Sequence, residues 1–83
     1  MTLLNDNGIT LYSQPGCGPC VGVERALDSL GVPYEIRNVR EDEEAAARVA
    51  ELGYTGTPVV EHPNGHFKGF DVAELEKLRI PLF

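Results

Sequence analysis

The chain has 83 residues, a formal net charge of −6 and two cysteines. That length builds one domain with a modest core, so residues 1–83 are expected to form a single unit with no second functional module. The acidic balance excludes the basic surface that nucleic acid or an anionic membrane needs, and no apolar run reaches the roughly 20 residues that cross a bilayer.

The segment Met1-Thr2-Leu3-Leu4-Asn5-Asp6 lacks the basic start and long apolar stretch of a secretory leader, so a cytoplasmic monomer is expected. Met1–Leu4 has the pattern of a marginal strand. Ile9-Thr10-Leu11-Tyr12, rich in β-branched and aromatic residues, lies between the turn signal Asn7-Gly8 and Ser13-Gln14-Pro15-Gly16, which predicts a central strand. From Gly18 onward, Val21, Val23, Leu27 and Leu30 recur at helical spacing, with Glu24, Arg25 and Asp28 between them and Gly31 at the expected stop. Tyr34-Glu35-Ile36-Arg37-Asn38-Val39 alternates with period two behind Pro33. It predicts a second strand, parallel to the first in a right-handed βαβ unit.

Asp42 to Leu52 is rich in Ala and Glu and predicts a second helix, with Ala46, Val49, Ala50 and Leu52 inward and Gly53 ending it. Val59-Val60-Glu61 and His66-Phe67-Lys68 flank the turn His62-Pro63-Asn64-Gly65 as two antiparallel strands. Asp71-Val72-Ala73-Glu74 has the form of a capping box and opens a last helix through about Arg79. Pro81 keeps the apolar tail Ile80-Pro81-Leu82-Phe83 from extending it. The fold class is therefore α/β, in the order β-α-β-α-β-β-α: a four-stranded mixed sheet flanked by three helices.

Both cysteines fall in Cys17-Gly18-Pro19-Cys20, where the first strand pattern gives way to the first helix. A helix N-terminus offers unpaired N–H donors and the positive end of the macrodipole, both of which favour a thiolate. Cys17 is the expected nucleophile. Cys20, one turn further in, is the expected resolving thiol, able to attack a mixed disulfide on Cys17. Pro19 suits the first turn, where a missing N–H costs nothing, and Gly18 lets a partner's backbone approach. A structural disulfide, two buried thiols or half a zinc site are the competing readings. Cys17/Cys20 and His62/His66 each have ligand-like spacing, but the 41 residues between the pairs far exceed the usual finger spacing of about 12 to 15.

A Cys-x-x-Cys at a strand-to-helix junction of a βαβ pattern is the mark of a thioredoxin-like redox domain. From Ile9 to about Arg79 the chain resembles glutaredoxin-type domains, and within them it is similar to the NrdH-type redoxins. The resemblance is carried by Leu11 through Cys20, by Ala26-Leu27-Asp28 with Gly31-Val32-Pro33-Tyr34, by Leu52-Gly53-Tyr54 with Thr57-Pro58-Val59-Val60, and by His66-Phe67-Lys68-Gly69-Phe70-Asp71. The last segment is similar to the NrdH string His-Trp-Ser-Gly-Phe-Arg-Pro-Asp, where ordinary glutaredoxins usually carry a Gly-Gly pair. The chain departs from that string: Phe67 stands for Trp, Lys68 for Ser, and the Arg-Pro step is missing. Gln14 replaces the Lys usual before the active-site turn in both subfamilies, and Gly16 stands where thioredoxins have Trp.

The resemblance implies a thioredoxin-like fold, with Pro58 in the cis form facing the cysteines and the Thr57 backbone free to pair with an extended substrate segment. It places Gly69, Phe70 and Asp71 beside the site, where Asp71 is also a sufficient N-cap. It implies a dithiol electron donor with no metal or other resident cofactor. The implied partners are thioredoxin reductase, which recharges it, and a protein disulfide such as that of class Ib ribonucleotide reductase. The alternative is a glutathione-dependent glutaredoxin, to which Arg37 or Arg40 would offer a carboxylate partner. A third is a module holding an iron–sulfur cluster through Cys17.

Overall fold

The computed structural model describes residues 8–63 and 65–78. The marginal strand over Met1–Leu4, Asn64 of the hairpin turn, Arg79 and the Ile80–Phe83 tail lie outside the described residues. The elements are β1 (Thr10–Ser13), α1 (Gly18–Leu30), β2 (Glu35–Asn38), α2 (Glu43–Glu51), β3 (Val59–His62), β4 (Gly65–Lys68) and α3 (Val72–Glu76). Among the described residues no helix is long and apolar enough to cross a membrane.

The sheet order is β2-β1-β3-β4, with β1 parallel to β2 and antiparallel to β3, and β3 antiparallel to β4. This is the four-stranded mixed sheet that the sequence pattern predicts. The period-two alternation of strand side chains sorts the core onto two faces. Leu11 and Val60, with Ile9 and Phe67, pack against Val23 and Leu27 of α1 and Leu75 of α3. Tyr12 and Val59 pack on the opposite face against Ala45 and Val49 of α2. β1 is thus buried on both faces, as a central strand must be.

Several boundaries and faces differ from the sequence reading. The second strand is four residues rather than six, because β1 offers only Thr10–Ser13 to pair with. Its Ile36 is 45% exposed on the sheet edge. The β3–β4 ladder runs one pair further than the sequence pattern predicts, to His62 opposite Gly65, which shortens the turn. Val21, counted with the apolar stripe of α1, is 46% exposed, one step round the helix from the buried Cys20. In α2 the buried face is Ala45 and Val49, with Leu52 packed beside them, while Ala46 and Ala50 are exposed. Asp42 caps that helix by accepting from the Ala45 N–H at 3.1 Å, and Arg48 reaches Glu61 on β3; both contacts set its rotation.

The helix ends follow capping chemistry. Gly31 takes φ 72 after α1 and returns its N–H to the Asp28 carbonyl at 3.1 Å, a left-handed stop that a side chain would strain. Asp71 caps α3 by accepting from the Glu74 N–H at 3.2 Å.

Candidate active site

Gly16 turns the chain out of β1 with φ 77, a backbone state other residues rarely adopt, and delivers Cys17 to the head of α1. Cys17 is the N-cap, with φ −95 and ψ 100. Its carbonyl accepts from the Val21 N–H at 3.4 Å, and its sulfur accepts from the Cys20 N–H at 3.2 Å. Gly18 and Pro19 form the first helical positions, so the missing N–H of proline leaves no acceptor unserved. Cys17 and Cys20 are joined in a disulfide with their Cα atoms 5.2 Å apart. Cys17 is half-buried, whereas Cys20 is 5% exposed. The two sulfurs are therefore unequal, one reachable from solvent and one behind it.

The loop before β3 lies across from this turn. The Thr57–Pro58 peptide is cis and Pro58 is buried. The Thr57 hydroxyl sits 3.6 Å from the Cys17 sulfur, and Gln14 Nε2 donates to that hydroxyl oxygen at 2.9 Å. The Pro58 carbonyl accepts from the Gly69 N–H at 2.9 Å, which ties the segment after β4 to the same loop. The Phe70 ring lies over Gly22 of α1, where a β-carbon would stand 3.7 Å from it, and is 53% exposed. Cys17, Cys20, Gly18, Pro19, Thr57, Pro58, Gly69 and Phe70 thus form one neighbourhood. Asp71 follows as the exposed cap of α3.

A groove of about 430 Å³ opens beside the disulfide, lined by Ser13, Gln14, Pro15, Val21 and Glu24 along with the cysteines. Among the described residues that line it there is no lysine or arginine, and Glu24 is the charged one. Arg37 does not serve it, because its guanidinium pairs with Asp42 at 2.6 Å and holds that carboxyl below its usual range. The two histidines sit at the far end of the hairpin from Pro58. The Tyr54 hydroxyl meets His66 Nδ1 at 2.8 Å and the His62 ring faces Phe67, so neither histidine joins the cysteines.

Two features of the site carry little signal in the sequence. Gln14 stands out in sequence only as a missing lysine, and its bond to Thr57 arises from residues 43 apart. On the α2 face, the Tyr12 hydroxyl donates to Glu61 at 2.8 Å and Arg48 Nε donates to both Glu61 oxygens at 3.1 Å. Burial, followed by the Glu61 bond, pushes the Tyr12 hydroxyl up to about 12, while Arg48 first of all holds Glu61 below its ordinary value.

A thioredoxin fold carrying a vicinal cysteine pair at a helix N-terminus defines a thiol–disulfide oxidoreductase. The chain belongs to the glutaredoxin family, whose model matches residues 9–68. Its curated relatives include the glutaredoxin-like protein NrdH of Lactococcus lactis subsp. lactis, 31% identical over 84% of this chain and 97% of that protein. NrdH of Escherichia coli is 32% identical over 75% of this chain and 76% of its own length. Among solved structures, the NrdH-redoxin of E. coli superposes with a TM-score of 0.83 at 28% identity, covering 89% of this chain and 97% of that one. The thioredoxin-like protein BC3987 gives 0.79 at 34% identity over 84% and 97% of the two chains.

Proposed function

We propose that this protein is a dithiol electron donor of NrdH type, reducing a protein disulfide such as that of class Ib ribonucleotide reductase and recharged by thioredoxin reductase. In this reading the Cys17 thiolate attacks one sulfur of the partner disulfide and expels the other as a thiolate. Cys20 loses its proton and attacks the Cys17 sulfur, expelling the partner's second thiolate. Two electrons pass to the partner, its sulfurs take up protons, and Cys17–Cys20 is left oxidised. The chemistry needs no metal, flavin or nucleotide within this chain.

The observation that carries the preference for a protein reductant is the groove without a cation. Glutathione presents two carboxylates, and in that groove they would meet Glu24 with no lysine or arginine among the described lining residues to offset it. The exposed apolar side chains Val21, Phe70 and Val72 favour a protein surface as partner. The E. coli neighbour is described as a glutaredoxin-like protein with a thioredoxin-like activity profile, which agrees with this reading.

A glutathione-dependent reaction is the second reading. It is favoured by a buckwheat glutaredoxin solved with glutathione, 28% identical with a TM-score of 0.69 over 90% of this chain and 73% of that one. The test is direct: mix the reduced protein with oxidised class Ib ribonucleotide reductase and count the reductase thiols. New reductase thiols matched by loss of the Cys17 and Cys20 thiols are expected. Unchanged reductase thiols, under conditions where the protein reduces glutathione-containing disulfides, would overturn the proposal in favour of the second reading.

A further inference from the structure

We infer that Gln14 and Thr57 form a relay that stabilises the Cys17 thiolate, taking over by hydrogen bonding what a lysine at position 14 would do by charge. The inference rests on Cys17 being the attacking thiol. A hydroxyl carries one hydrogen and two acceptor lone pairs. Gln14 Nε2 donates into one lone pair of Thr57 Oγ1 at 2.9 Å, so the Thr57 hydrogen is left free to turn elsewhere. The nearby acceptor is the Cys17 sulfur, 3.6 Å from that oxygen, within the longer reach of sulfur.

In the disulfide this sulfur is a weak acceptor. Once reduced and ionised it becomes a charged one, and the same O–H then makes a charge-assisted bond worth about twice a neutral one. The Cys20 N–H already points at the sulfur from 3.2 Å, so the thiolate is met by two prearranged donors from different parts of the fold. The proton released on ionisation goes to solvent. Thr57 acts on the reacting atom; Gln14 is a positioning residue that acts only through Thr57.

The amide matters because it donates. A carboxylate at position 14 has the same shape but only accepts, so it would draw the Thr57 hydrogen to itself and leave the sulfur unserved. Leucine would neither donate nor accept, leaving the hydroxyl free to rotate.

The experiment is a pH titration of iodoacetamide alkylation with Cys20→Ser as the common background, which leaves Cys17 as the sole thiol. Thr57→Val should raise the midpoint by about one pH unit, and Gln14→Glu by at least as much. Thr57→Ser, which keeps the hydroxyl, should stay at the parent midpoint. Gln14→Leu should raise it by less, and should add nothing once Thr57→Val is present. Unmoved midpoints in Thr57→Val and Gln14→Glu, or an equal Gln14→Leu effect with and without Thr57, would overturn the relay. Peptide mapping of reduced wild-type protein alkylated at neutral pH tests the underlying reading separately. Label on Cys17 upholds it; label first on Cys20 removes the premise and the relay with it.

Discussion

The Cys20 N–H points at the Cys17 sulfur from 3.2 Å, so in the proposed exchange the residue that would break the mixed disulfide would also help hold the charge on the attacking sulfur. One backbone turn supplies both, because Cys17 caps α1 and Cys20 is its third residue. Cys20 is 5% exposed and Cys17 half-buried, so Cys17 is the sulfur more open to a partner.

Cys17→Ser should therefore abolish exchange with protein disulfides. Cys20→Ser should allow one attack and then stall as a stable mixed disulfide, visible as a mass adduct that dithiothreitol releases. Equal residual turnover in the two variants would contradict these roles.

The Tyr12–Glu61–Arg48 cluster predicts how stability changes with pH. Glu61 titrates below its unfolded value, so its contribution is complete above the usual carboxylate range of about 4.3 and is lost as pH falls through the folded value. Tyr12, raised to about 12, contributes fully below the usual 10.0 and loses that contribution as pH rises toward 12. Glu61→Gln should cost about 1 kcal/mol in urea unfolding at pH 7, a difference that shrinks below about pH 4. Tyr12→Phe should flatten the alkaline arm between the same two values.

The core under the active-site helix gives a third expectation. Leu27 is fully buried between α1 and the sheet. Leu27→Ala should lower the urea midpoint by the equivalent of about 3 kcal/mol, a large share of the stability of so small a domain. A change below about 1 kcal/mol would mean that the site collapses around the missing methyl groups.

The element order was legible because each boundary carries its own chemistry: Gly31 after α1, Asp42 before α2, Asp71 before α3. The cysteine pair was legible because a strand-to-helix junction is visible in the pattern. The rotation of α2 was not, since Ala45, Ala46 and Ala47 offer no contrast in size, and the contact that fixes it runs from Arg48 to Glu61 in another element. Ile36 belongs to an alternating pattern, but an edge strand with one neighbour leaves such a side chain exposed. The Gln14–Thr57–Cys17 contact was illegible for the same reason as Arg48–Glu61: it exists only once distant segments meet.

A coupled assay tests most directly whether the Cys17–Cys20 dithiol is recharged by a protein reductase. NADPH oxidation is followed with insulin disulfide as the acceptor, once with thioredoxin reductase and once with glutathione and its reductase. Steady turnover with thioredoxin reductase, and little above background with glutathione, is the predicted result. Turnover with the glutathione system alone would contradict it.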